Sequence, residues 1–250
     1  MQDARAARVV WRESADERAW VSGAVEAIAQ ALRDGLAGGD TWLLLSGGTT
    51  PGPVYRALPS QRLDWDHVTA ALVDERDVDP DDEGSNARLV CRTLLHGRAR
   101  AAAFRPLRDR GESLADAAAR ANAHWPFAPV AGPEAPLPRP SCAMAVLGLG
   151  DDGHTASLFP GAANLDAALA STEAYVTIDA QGCPVAGAWP RRISLTPAAL
   201  GAARRRLLLI RGAGKRAVFE RALAPGDARE LPIRAAIDAP GALLEVHWCA

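Results

Sequence analysis

The sequence lacks any long hydrophobic run, and its charge is nearly balanced. No stretch of about 18 apolar residues is present, which argues against a membrane-spanning helix. The first residues, Met1 to Arg5, do not lead into the apolar core of a secretory signal. The formal net charge is −2, so no broad positive field would attract nucleic acid or anionic lipid. We therefore expect a cytoplasmic protein that has neither nucleic acid nor a membrane as a partner.

Cysteine and lysine are also scarce. The four cysteines are far apart and form no C-x-x-C pair: Cys91, Cys142, Cys183 and Cys249. Their spacing favours neither a zinc site nor a disulfide framework, so we expect buried free thiols and no metal. The 28 basic residues include a single lysine, Lys215. A lone lysine reflects either codon drift or a place where a compact ammonium is required.

Short apolar segments alternate with segments of helical pattern along the chain. This alternation predicts an α/β fold with a doubly wound, mostly parallel sheet and flanking helices, which is Rossmann-like. The predicted strands cover residues 9–11, 41–45, 68–73, 143–147, 174–178, 192–195, 206–210 and 243–248. The pattern Ser14-Ala15-Asp16-Glu17 predicts a capping box, with a helix that runs to residue 36. Further helices are expected at 51 onward, 86–95, 112–125, 197 onward and 212 onward.

The domain organisation is expected to be simple. A chain of 250 residues can build one large core, so we expect a single domain over residues 1–250. The segment from Pro126 to Pro140 contains six prolines, and it predicts a surface loop.

The loops that follow the predicted strands are the places to look for a site, because ligands of such sheets bind beyond the carboxyl ends of the strands. These loops are residues 46–51, 74–86, 148–160 and 211–215. In the first of these loops, Gly47 and Gly48 would let backbone N–H groups approach an anion at a helix N-terminus. The hydroxyls of Ser46 and Thr49 add donors. No G-K-[ST] follows, so the loop is not a P-loop; a plain strand-to-helix turn is the alternative.

A second loop carries the pattern G-x-G-x-x-G, through Gly148, Gly150 and Gly153. This dinucleotide fingerprint is a weak signal here, because it lies past mid-chain instead of in the first strand–helix unit. Asp151 and Asp152 would also oppose the charge of a pyrophosphate. We therefore expect no nicotinamide cofactor.

The same loop is better interpreted as a proton-handling site. His154 follows two carboxylates at the exit of a buried strand. A carboxylate next to an imidazole fixes its tautomer and increases its basicity. The alternative is a structural histidine in a turn. His67, His96, His124 and His247 lack such surroundings and are interpreted as structural.

The loop segments together resemble the 6-phosphogluconolactonase family, within the larger group that includes glucosamine-6-phosphate deaminases. The thirteen residues from Gly148 to Pro160 are the most specific match. The other matching segments are Ser46-Gly47-Gly48-Thr49-Thr50-Pro51, Asp74-Glu75-Arg76 with Ser85-Asn86, Arg192-Ile193-Ser194-Leu195-Thr196 and Gly214-Lys215. The segments occur in the family's order and span most of the chain. The resemblance implies the NagB-type variant of the doubly wound fold.

The resemblance also implies a reaction. The substrate would be 6-phospho-D-glucono-1,5-lactone and the product 6-phosphogluconate, in the pentose phosphate pathway, without a cofactor. His154 matches the proposed general base, and Asp152 matches the aspartate beside it. Arg76, Arg192 and Lys215 match family positions at the phosphate end of the substrate pocket. Loop 46–50 would supply backbone donors, and the segment that begins with Asp74 belongs to the same substrate site.

Two other functions remain open at this point. The deaminases of the group carry a glutamate where this chain has Phe159, and tend to have tyrosine where it has Arg76, so both positions favour a lactonase. A non-catalytic sugar-phosphate sensor would usually be fused to a DNA-binding module, for which no room is evident. Arg191 adjoins Arg192, so either could contact the phosphate. A monomer or a small homo-oligomer is expected.

Overall fold

The computed structural model describes residues 3–127 and 140–250. Within these ranges the main feature is a seven-stranded, parallel sheet. Its strands are β1 (Val9–Glu13), β2 (Thr41–Leu45), β3 (Val68–Leu72), β5 (Ala103–Arg105), β6 (Ser141–Leu147), β9 (Arg206–Arg211) and β10 (Leu244–Cys249). They are arranged in the order β1-β10-β9-β6-β2-β3-β5. The predicted α/β class and parallel sheet are confirmed. The predicted Pro-rich loop falls mostly on residues 128–139, which lie outside the described residues.

Helices flank this sheet. They are α1 (Asp3–Ala6), α2 (Glu17–Leu36), α3 (Gly52–Ala57), α4 (Asn86–Thr93), α5 (Leu114–Ala123), α6 (Leu165–Ala170), α7 (Pro197–Leu200), α8 (Gly212–Leu223) and α9 (Ile233–Asp238). Short 3₁₀ turns occur at Leu58–Ser60, Trp65–His67, Gly97–Ala101 and Pro184–Ala186. None of the described helices is long and apolar enough to cross a membrane.

The longest helix shows how local sequence signals start an element. Asp16 is the N-cap of α2, and its carboxylate accepts a hydrogen bond from Ala19 N at 2.8 Å. The expectation that Ser14 begins a capping box is therefore wrong, because the acceptor nearest the first free N–H groups is the Asp16 side chain. The buried face of the helix includes Trp20, whose indole N–H donates to His247 O at 2.9 Å and ties α2 to β10.

A second, smaller sheet was not anticipated. It consists of β4 (Asp74–Arg76), β8 (Arg191–Leu195) and β7 (Tyr175–Asp179), paired antiparallel in that order. The sequence pattern predicts β7 and β8 as strands without separating them from the main sheet, and it places residues 74–76 in a loop. A three-residue strand is too short to show periodicity, and its pairing with β8 is a long-range contact.

The hydrophobic core follows the two sheets. The main cluster surrounds the strands of the parallel sheet, and a second cluster that includes Leu158, Phe159 and Ile178 lies against the small sheet. The four cysteines are free, as expected, but Cys91 is exposed, so the prediction that all are buried is wrong for that residue. It lies on the solvent-facing side of α4, whose buried side includes Ala87 and Val90.

Candidate functional site

Four predicted loops meet at the carboxyl ends of neighbouring strands. They follow β9, β6, β2 and β3, which are adjacent in the sheet. Between them lies a cavity of about 280 Å³. Nine of the ten residues proposed from the sequence line it: Ser46, Gly47, Gly48, Thr49, Asp74, Arg76, His154, Arg192 and Lys215. Asp152 does not line the cavity and instead contacts His154.

The histidine is held by the aspartate two residues before it. His154 Nδ1 lies 2.6 Å from Asp152 Oδ1, and the same oxygen accepts the His154 backbone N–H at 3.1 Å. Burial raises the pKa of Asp152, but the hydrogen bond and charge of His154 outweigh it, and the pKa lies below its usual value. An ionised Asp152 accepts a hydrogen bond from Nδ1–H of a neutral imidazole, and in that tautomer the lone pair lies on Nε2.

Glycines make this arrangement possible. A Cβ on Gly150 would lie 2.0 Å from His154 Nδ1 and 2.5 Å from Asp152 Oδ1. Gly153 has a φ of +86°, and a Cβ there would lie 2.4 Å from Leu231 Cδ2. In the apparent dinucleotide pattern, Gly150 therefore leaves room for the imidazole of His154, and Gly153 allows the turn to pack against Leu231.

The two arginines predicted for the phosphate end stand opposite each other on paired strands. Arg76 of β4 is the register partner of Arg192 of β8. Arg192 is buried; it donates through Nε to Trp189 O at 2.6 Å and through Nη2 to Ala186 O at 3.0 Å. Its guanidinium also lies 5.1 Å from the centroid of the Phe159 ring. Burial lowers the pKa of Arg192 to about 10, so the side chain is still a cation at neutral pH.

The neighbouring arginine points elsewhere because side chains alternate along a strand. Arg191 is 71% exposed and pairs with Asp77 at 2.7 Å. Of the two candidates left open by the sequence, only Arg192 lines the cavity.

Arg76 is held by a carbonyl and an indole. It donates through Nη1 to Gly84 O. Its guanidinium lies 5.5 Å from the centroid of the Trp189 ring. Its Nε is buried and, among the described residues, has no hydrogen-bond acceptor.

A buried carboxylate forms part of the cavity wall beside the arginines. Asp74 Oδ2 accepts the hydroxyl of Ser157 at 2.6 Å and lies 3.9 Å from Arg192 Nη1. Asp74 Oδ1 accepts from Asn86 Nδ2 at 3.2 Å. These donors stabilise a charge that is almost removed from water.

Glu75 fixes the start of the helix that carries Asn86. Its two carboxylate oxygens accept the backbone N–H groups of Asn86 and Ala87, each at 2.8 Å. Burial raises the pKa of Glu75, and these backbone bonds act in the opposite direction. The carboxylate therefore satisfies the free N–H groups at the N-terminus of α4 and orients Asn86 toward Asp74.

Loop 46–51 is shaped by that same asparagine. A Cβ on Gly47 would lie 1.7 Å from Asn86 Oδ1, and Gly48 has a φ of +89°. The hydroxyl of Tyr55 donates to Ser46 O at 2.9 Å. Ser46 Oγ is buried and has no hydrogen-bond partner within the described ranges, so the loop offers a free hydroxyl beside its backbone groups.

The single lysine closes the cavity from the side of α8. Lys215 Nζ lies 2.8 Å from Asp151 Oδ1, and the Asp151 side chain is 80% exposed. Asp151 and Asp152, which the sequence could not tell apart, thus have different partners: the first faces the lysine and the second faces His154.

Some residues of this site carry no signal in the sequence that identifies them. Trp189 and Ala186 lie between β7 and β8, and no motif marks them. Ser157 lay inside the matched segment from Gly148 to Pro160, but its hydroxyl was not assigned a role. Among residues 3–127 and 140–250, no group of three or more His, Cys, Asp or Glu side chains could hold a metal ion.

Several known proteins with similar sequences are 6-phosphogluconolactonases. A sequence model described as glucosamine-6-phosphate isomerases/6-phosphogluconolactonase matches residues 15–248. A 6-phosphogluconolactonase of Xylella fastidiosa is 50% identical over 208 residues, which cover 83% of this chain and 82% of that protein. A 6-phosphogluconolactonase of Pseudomonas putida is 38% identical over 246 residues, which cover 97% of this chain and 94% of that protein.

Solved structures agree with the sequence comparison. The crystal structure of a 6-phosphogluconolactonase from Shewanella baltica superposes with a TM-score of 0.83 at 32% identity, and the match covers 97% of this chain and 98% of that one. The structure of the Trypanosoma brucei enzyme, at 22% identity, has a TM-score of 0.75 and shows the shared fold.

Proposed function

The chain belongs to the glucosamine-6-phosphate isomerase/6-phosphogluconolactonase family, and on that premise we propose that it hydrolyses 6-phospho-D-glucono-1,5-lactone to 6-phosphogluconate. This reaction belongs to the pentose phosphate pathway. The proposal treats residues 1–250 as one lactonase domain, because distant segments contribute to one cavity.

The reaction breaks the ester bond between C1 and the ring oxygen. In the proposed step, His154 Nε2 takes a proton from a water molecule while the water oxygen attacks C1. The tetrahedral intermediate then expels the ring oxygen, which receives the proton from the imidazolium. Asp152 keeps the Nδ1 proton in place and stabilises the charge that forms on the ring. General-base assistance of this kind accelerates hydrolysis by about 10²–10⁴-fold.

The far end of the cavity supplies binding energy. A sugar phosphate carries its charge remote from C1, and Arg76, Arg192 and Lys215 line the same cavity as His154. Cations that hold the phosphate position the ester against the base, which converts remote binding into rate. The backbone N–H groups and hydroxyls of loop 46–49 are proposed as further donors to the substrate.

One observation carries the proposal: the carboxylate-held imidazole and the three cations line a single cavity. The closest alternative, deamination of glucosamine 6-phosphate, has less support, because Phe159 cannot accept or relay a proton.

Two assays on the purified protein test the proposal. Hydrolysis of 6-phosphogluconolactone is followed by coupling 6-phosphogluconate to its dehydrogenase, with the spontaneous rate subtracted. Ammonia release from glucosamine 6-phosphate is measured in parallel. We expect activity only in the first assay. Activity only in the second would identify a deaminase, and binding of 6-phosphogluconate without either turnover would identify a sensor.

A further inference from the structure

The two cavity arginines form an arrangement that needs support. Arg76 and Arg192 are directly opposed on β4 and β8, and like charges in that position destabilise a sheet. The carboxylate nearest to Arg192 is Asp74, at 3.9 Å. Arg76 forms no ion pair with any residue in the described ranges. The pair therefore has a carboxylate only at the outer limit of an ion pair, and other contacts are needed to hold the two guanidinium groups side by side.

Several of those contacts come from one short segment. We call residues 183–190, which form most of the connection between β7 and β8, the arginine loop. Its carbonyl groups at Ala186 and Trp189 accept two hydrogen bonds from Arg192, at 3.0 and 2.6 Å. The ring of Trp189 lies 5.5 Å from the guanidinium carbon of Arg76. One residue of the loop thus contacts both arginines, one through its carbonyl and the other through its indole.

The indole of Trp189 also packs against the backbone of Gly84. A Cβ on Gly84 would lie 2.5 Å from Trp189 Cε2, so the backbone there packs closely on the indole. The carbonyl of Gly84 also accepts the Nη1 hydrogen bond of Arg76. Gly84, Trp189 and Arg76 therefore pack against one another, and the position of the guanidinium depends on the indole.

We propose that Trp189 is a positioning residue for anion binding, whose indole holds Arg76 beside Arg192 before the substrate phosphate arrives. The proposal rests on the proposed function, because it takes the phosphate of the lactone as the anion. Without the indole, Arg76 would swing away from Arg192, and the phosphate would have to bring the two together as it binds. Trp189 therefore affects the affinity for phosphate and not the chemistry at C1.

The expected size of the effect follows from the contact. A cation over a half-buried indole contributes a stabilisation equivalent to about two- to thirtyfold in an equilibrium constant. We expect Trp189→Ala to raise the KM for 6-phosphogluconolactone by about tenfold and to change kcat by less than about threefold. The inhibition constant of inorganic phosphate, which lacks the ester, should weaken by a similar factor. Trp189→Phe, which keeps an aromatic face, should recover most of the loss.

A matched tryptophan controls for the loss of a large ring. Trp11 also carries an arginine over its ring, with Arg216 at 5.4 Å, and it does not line the cavity. We expect Trp11→Ala to lower thermal stability while KM and the phosphate inhibition constant stay unchanged.

The outcomes separate this proposal from the proposed function. The positioning role would be overturned if Trp189→Ala lowered kcat by as large a factor as it raised KM. It would also be overturned if the inhibition constant of inorganic phosphate stayed unchanged in this variant. The role would also be overturned if Trp189→Phe did not restore KM, because the effect would then depend on the shape of the indole and not on its aromatic face. If the wild-type protein does not hydrolyse the lactone, the proposed function fails. Calorimetric binding of inorganic phosphate to wild type, Trp189→Ala and Trp189→Phe would still decide the role of the indole.

Discussion

The two ends of the cavity are built in different ways. The histidine end lies within one loop, where Gly150, Asp152 and His154 contact each other within five consecutive residues. The arginine end combines β4, β8 and the arginine loop, so that residues more than a hundred positions apart lie side by side. A local turn fixes the first end, and only the pairing of the small sheet fixes the second.

The two ends of the cavity also differ in their electrostatics. At the histidine end, one carboxylate oxygen of Asp152 contacts both the Nδ1 atom and the backbone N–H of His154. At the arginine end, the guanidinium groups of Arg76 and Arg192 contact mainly carbonyl groups and aromatic rings, and the Asp74 carboxylate lies 3.9 Å from Arg192. A reacting imidazole needs a defined proton, whereas cations that bind an anion must not be neutralised by a close ion pair. Substitutions at the two ends should therefore separate rate from affinity.

The largest effect is expected from removal of the imidazole. His154→Ala should lower kcat by about 10²–10⁴-fold, because no group remains to take the proton of the attacking water. Binding of 6-phosphogluconate, measured by calorimetry, should change little. His124→Ala removes an exposed histidine outside the cavity and should leave both quantities intact. If His154→Ala abolished binding instead of turnover, the histidine end would be a binding site.

The aspartate behind the imidazole should have the next largest effect. Asp152→Asn keeps the shape but loses the carboxylate that holds the Nδ1 proton, and we expect kcat to fall by about 100-fold. Asp151→Asn is the matched control, since its partner is Lys215. Equal turnover by the two variants would remove Asp152 from the mechanism.

The stability of Asp152→Asn relative to wild type should depend on pH. The pKa of Asp152 in the folded protein lies below its usual value, which is about 3.9 in an unfolded chain. The stability that it contributes is therefore fully present above about pH 4 and is lost as the pH falls through the folded-state pKa. Urea unfolding should show Asp152→Asn to be less stable than wild type by about 1 kcal/mol at pH 7. That difference should shrink toward pH 3.

At the arginine end of the cavity, substitution of Arg192 should change KM. Arg192→Gln removes a buried cation, and loss of a charge-assisted contact to phosphate should raise KM by about tenfold or more. Arg191→Gln, one residue away, faces solvent and Asp77 and should change KM by less than twofold, within the range of an exposed ion pair. Initial-rate kinetics of the two variants decide which arginine contacts the phosphate. A larger effect at Arg191 would contradict the orientation of β8.

The smallest effect is expected at the lysine. Asp151 is largely exposed and occupies Lys215 through one ion pair. Asp151→Asn frees the ammonium, so KM should fall by about two- to fivefold at low salt, and the change should disappear at high salt. In a Lys215→Gln background the same substitution should have no effect on KM. A rise in KM would mean that Asp151 positions the lysine.

Most of the main sheet could be predicted from the sequence, because its strands are continuous apolar runs. The runs at β2 and β3 are buried almost throughout and end in glycine or charged residues. The short strand β4 carries no such pattern. The helices α6 and α9 were also missed, because each has six residues and too few turns to show a helical period.

The sequence by itself determined the parallel sheet, the loops at its carboxyl edge and the closeness of Asp152 to His154. Those features depend on hydrophobic period, on strand-end geometry and on a spacing of two residues. Only the tertiary structure decided that Arg192 and not Arg191 faces the cavity, that Arg76 stands opposite it, and that Trp189 contacts both. These relations arise from strand register and loop packing between distant segments, which local propensity does not encode.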